Sequence, residues 1–76
     1  MKYTEIGHCI LNPELNSYIA YNEVMGWYLT NLPRKAVFFE DQKSVQKQIK
    51  LFNNSKCYSN DLKNCKYIQI ILSWEI

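Results

Sequence analysis

The sequence predicts an α+β fold: an antiparallel sheet of three to four strands with one amphipathic helix packed on one face, spanning residues 1–76 as a single small domain. Three observations carry that expectation. Residues 18–21 and 27–30 are short aromatic and β-branched runs separated by "NEVMG", the composition of a hairpin. Val45, Ile49 and Phe52 recur at i, i+4 and i+7, the apolar stripe of a helix. Residues 66–76 alternate Ile68, Ile70, Leu72, Trp74 and Ile76 with Tyr67, Gln69, Ile71, Ser73 and Glu75, the period of a strand.

Taken in order, residues 1–15 leave their structure open. Residues 3–6 suit a short strand, and Asn12-Pro13 marks a turn. In the hairpin, Asn22 opens the turn and Gly26 supplies the positive φ before the return strand. If Tyr21 faces Trp27, then Ile19 faces Leu29, Ala20 faces Tyr28 and Tyr18 faces Thr30. One face then carries Ile19, Tyr21, Trp27 and Leu29, and the other Tyr18, Ala20, Tyr28 and Thr30. Pro33 interrupts the ladder because it has no amide hydrogen. Residues 35–39 are expected to form a third strand. Asp41 stands where a helix N-cap belongs, and the helix is expected over residues 42–53. Its apolar stripe should close over Ile19, Leu29 and the even-numbered residues of the last strand. The polar stretch 53–64 reads as a loop. Tyr18 and Tyr28, with Tyr67 as a third, are left for the open sheet face.

Composition narrows function. A net charge of +2 with 47% hydrophobic and 14% aromatic residues describes a folded domain rather than a disordered polyelectrolyte. No run of about eighteen apolar residues is present, so no membrane partner is expected. Glu5 and His8 interrupt any apolar core of a leader peptide, and three unpatterned cysteines suit a reducing, cytoplasmic setting. His8, Cys9, Cys57 and Cys65 make a formal zinc set. However, ligands at adjacent positions and a Cys-x7-Cys spacing do not fit the pairs two to four residues apart that zinc takes, so no metal or other cofactor is expected. The single His, the two glycines and the lack of nucleophile or phosphate-loop motifs predict no catalytic residues and no enzyme. Glu40 and Asp41 read as helix-terminus residues, not as a catalytic pair.

The basic residues offer more. Lys43, Lys47 and Lys50 form a stripe nearly opposite the apolar one, preceded by Arg34 and Lys35, and no acidic residue lies between Asp41 and Asp61. Such a stripe can meet the phosphates of a nucleic acid or an acidic protein surface. Tyr18 and Tyr28 can stack on bases or anchor a protein interface, although their surroundings lack the Lys/Arg-Gly-Phe/Tyr signature of sheet-based RNA binders. Open sheet edges also allow a homodimer.

The sequence "YIAYNEVMGWYL", then "KAVFFED", then a helix ending "IKLFNN", resembles small β-hairpin–strand–helix–strand proteins of bacteriophages and prophages, among them anti-CRISPR proteins. The resemblance spans residues 18–53 and the last strand, and it carries over no site residue by position. It implies a non-enzymatic phage or mobile-element protein that binds and blocks a host defence protein or nucleoprotein complex in the host cytoplasm. The alternative is a direct nucleic-acid-binding module that uses the basic helix face. The expected partner-binding residues are Tyr18, Tyr28, Arg34, Lys35, Lys43, Lys47 and Lys50, and the alternative reading uses the same basic stripe.

Overall fold

The hairpin forms in the expected register: β2 (Ser17–Asn22) pairs antiparallel with β3 (Gly26–Thr30), with Tyr21 opposite Trp27 and Ile19 opposite Leu29. Its turn is held by Asn22, whose Oδ1 accepts from the amides of Val24 at 3.0 Å and Met25 at 2.6 Å, and Gly26 takes a φ of +72°. The computed structural model of the chain describes residues 2–75; Ile76, assigned above to the last strand, lies outside them.

The open N-terminal stretch is a long strand, β1 (Lys2–Asn12), and it lies inside the sheet. β4 (Lys66–Glu75) pairs with it antiparallel from Lys2 opposite Glu75 to Leu11 opposite Lys66. The four strands run in the order β3-β2-β1-β4, and α1 (Gln42–Asn54) packs on one face, so the chain is α+β as expected. A tight turn after Asn12, with Asn16 at a φ of +51°, links β1 to β2. Asn12 itself is buried with both ends of its amide engaged: Nδ2 donates to the Asp61 carbonyl and Oδ1 accepts from Leu15.

The expected third strand at 35–39 is corrected. Pro33–Lys35 form a single 3-10 turn, with Pro33 at its start and the Ala36 amide returning to the Pro33 carbonyl at 3.1 Å. Residues 37–39 then cross a gap. β1 and β2 pair only at Leu11–Tyr18 and Asn12–Ser17, and beyond that they part. Val37 donates to the Ile19 carbonyl on one side at 3.0 Å, and Phe39 donates to the His8 carbonyl on the other at 2.8 Å. The segment alternates like a strand because it answers two strands in turn, and it belongs to neither ladder.

The orientation of β4 is a second correction. Directly opposed residues of an antiparallel pair share a face. Ile10 sits in the core beneath α1, and its partner is Tyr67. Tyr67 therefore lies on the helix face, packed against the core and hydrogen-bonded to His8, with Nδ1 and the hydroxyl 2.7 Å apart. Ile68, Ile70 and Leu72 face the other way, opposite Cys9, Gly7 and Glu5. That far face is partly covered. The Phe38 ring lies over Gly7, where a Cβ would come within 2.7 Å of it, and Cys9 and Ala20 are buried there.

The core joins Ile10 and Ile19 to Val45, Ile49 and Phe52 of α1 and to Leu62 and Cys65 from the connection into β4. Asp41 caps α1 as expected: its carboxylate accepts from the Ser44 amide at 2.8 Å. Aromatic contacts continue the packing, Trp27 meeting Phe52 edge-on at 5.0 Å and Phe52 meeting Tyr58 at 4.9 Å. The hairpin aromatic Trp27 is thus half-buried against the core, while Tyr21 rests on it at the margin.

Candidate functional site

The burial of Val45, Ile49 and Phe52 fixes the rotation of α1, and that rotation decides what the helix offers to solvent. Lys43, Lys47 and Lys50 are all exposed. Together with Gln46, Ile49 and Asn53 they line an open recess of about 660 Å³. The first and last of these lysines lie ~10 Å apart along the axis, from the 1.5 Å rise per residue. Ile49 gives the recess an apolar floor, and the two amides add groups that both donate and accept. No residue of Gln42–Asn54 is acidic; the N-cap Asp41 acts on Lys43 at one end of the stripe, and the helix itself carries no carboxylate beside Lys47 or Lys50.

The remaining candidates do not join them. Tyr18 and Tyr28 are half-buried on the far face, where Tyr18 is opposite Thr30 and Tyr28 opposite Ala20. The sheet separates these two tyrosines from the lysine recess. Arg34 and Lys35 are exposed on the 3-10 turn that leads out of the hairpin. Gln46 and Asn53 are the lining residues the sequence reading passed over. Their signal was their helical spacing from Lys43, Lys47 and Lys50, which places them on the same side.

The sulfur and imidazole groups are dispersed. His8 and Cys9 point to opposite faces of β1, as neighbours on a strand must. Burial pushes the Cys9 thiol up to about 11, which makes it a poor nucleophile, and burial likewise raises Cys65. Cys57 is exposed. Among the described residues no group of three or more His, Cys, Asp or Glu side chains is placed to hold a metal ion. Among the described residues no helix is long and apolar enough to cross a membrane.

No family model matches the chain, and searches of curated proteins and of solved structures return no match.

Proposed function

We propose that the chain is a small non-enzymatic binding protein whose lysine recess on α1 docks against the anionic surface of a host protein or nucleoprotein complex and blocks it. In its most concrete form it is a phage or mobile-element inhibitor of a host defence complex, of the anti-CRISPR kind. The observation that carries this reading is the recess: three exposed cations, two amides and an apolar floor on one helix, whose nearest carboxylate is the N-cap Asp41 beside Lys43. Lys43, Lys47 and Lys50 are exposed and make no part of the core, so reversing their charge should leave the fold in place and separate binding from folding. Replacing Lys43, Lys47 and Lys50 together by Glu should leave the circular dichroism spectrum unchanged and abolish protection of a phage from defence in a plaque assay. Protection equal to the wild type would refute the recess as the contact.

The same lysine spacing favours one second reading, direct binding to a nucleic-acid backbone. Titration of labelled DNA and RNA by fluorescence anisotropy separates the two. Three phosphate contacts on duplex DNA give a slope of about −2 to −3 in log K against log salt. No binding at low salt removes this reading and leaves the acidic protein surface.

A further inference from the structure

We infer that the outer edge of β4 is a self-association surface, which pairs antiparallel with β4 of a second copy across a twofold axis at Ile71. β4 is an edge strand of the sheet, and among the described residues no strand lies beyond it over its ten residues. Edges this long are normally blunted by a proline, a bulge or interior charge. Here residues 67–74 contain no proline and no charged residue.

The hydrogen-bonding sense of the free edge follows from β1. The His8 carbonyl accepts from Phe39, on the side away from β4. Backbone groups alternate in direction along a strand, so Gly7 and Cys9 point to β4, and their partners Ile70 and Ile68 point back. Gln69, Ile71 and Ser73 then direct their amides and carbonyls outward. A register that sets Ile71 opposite its own copy pairs Gln69 with Ser73 and Tyr67 with Glu75. It uses every outward-facing residue of the strand, about ten hydrogen bonds in all. A shift that centres the axis on Ile70 leaves Glu75 without a partner in the strand.

Side chains favour the same register. Ile71 is 73% exposed, and its neighbour across the β1–β4 pair, Ile6, is 57% exposed. Pairing on Ile71 builds one row of four isoleucines, Ile6 and Ile71 from each copy, across the joined sheets. On the far face, Ile70 of each copy meets Leu72 of the other. A second copy of this chain is therefore the occupant that fits.

The test is sedimentation equilibrium over a concentration series, followed by two kinds of variant. The wild type should show the mass of two chains, and Ile71→Lys should show one, with an unchanged circular dichroism spectrum. In a Cys57→Ser background, Ile71→Cys should form an intermolecular disulfide under mild oxidation, because directly opposed Cα atoms lie ~5.5 Å apart, within disulfide range. Gln69→Cys should not, because the register sets it opposite Ser73. A wild type that stays monomeric, or a dimer that survives Ile71→Lys, overturns the surface. Cross-linking at position 69 in place of 71 overturns the register. Ile71 lies outside the lysine recess, so either result leaves the functional proposal to its own experiment.

Discussion

Ile6 and Ile10 stand on one strand and on one face, yet Ile10 is fully buried and Ile6 is 57% exposed. The difference is what lies above them. Around Ile10 the sheet is four strands wide and α1 covers it; around Ile6 only β1 and β4 remain, and they run on as a two-stranded ribbon. The molecule is accordingly long, 46 × 25 × 24 Å. Alternation of apolar residues assigns a side chain to a face. Burial needs a second layer on that face, which this small chain provides for half of its sheet only.

The largest test of that contrast is Phe52→Ala. It removes the ring that Trp27 and Tyr58 both meet edge-on and should cost about 3–5 kcal/mol in urea unfolding, enough to unfold much of so small a domain. Ile10→Ala should cost about 2–5 kcal/mol, whereas Ile6→Ala, measured at a protein concentration where the chain is monomeric, should stay within about 0.5 kcal/mol. Equal losses at the two sites would mean that the ribbon is covered after all. Gly7→Ala probes the border between the regions. The new Cβ meets Phe38 at 2.7 Å and Ile70 at 3.2 Å and should cost about 1–3 kcal/mol. Phe38→Ala in the same chain should recover part of the loss, as a double-mutant cycle would measure.

Two smaller effects complete the series. With a thiol reagent at pH 8, one cysteine per folded chain, Cys57, should react quickly, and Cys9 and Cys65 only on unfolding. Asp41 is held below its ordinary value of 3.8, first by the Ser44 amide it accepts from. Its folded pKa is the lower one, so its contribution to stability is full above that ordinary value and is lost as the pH falls through the folded pKa. Asp41→Asn should flatten this part of the stability–pH profile while leaving the helix capped.

The hairpin and the helix were legible in the sequence because short-range rules settle them. Turn chemistry at Asn22 and Gly26 fixed the register of β2 with β3, and Asp41 with the stripe at 45, 49 and 52 fixed the start and rotation of α1. The lysine side of the recess followed from that rotation. What escaped was decided at long range. β1 hides its pattern because Gly7 has no side chain and the far-face residue Cys9 is buried as deeply as Ile10. Residues 35–39 have a strand's alternation, but their hydrogen bonds go to two strands that have separated. β4 is apolar on both sides, so nothing in its own residues says which side meets the helix. Its pairing with β1 decides that, and it places Tyr67 rather than Ile68 under α1.

The widest ladder of this protein, β1 with β4, joins Lys2 to Glu75 and Leu11 to Lys66, so every one of its pairs closes a loop that contains the hairpin, the crossing segment and the helix. Local elements form in microseconds, whereas contacts so distant along the chain come late and slowly. The hairpin and α1 can therefore exist while β1 is still unpaired on the side that β4 will occupy. In that interval the strand destined for the centre of the sheet is itself an open edge, and how long the molecule stays in that state depends on how soon β4 reaches it.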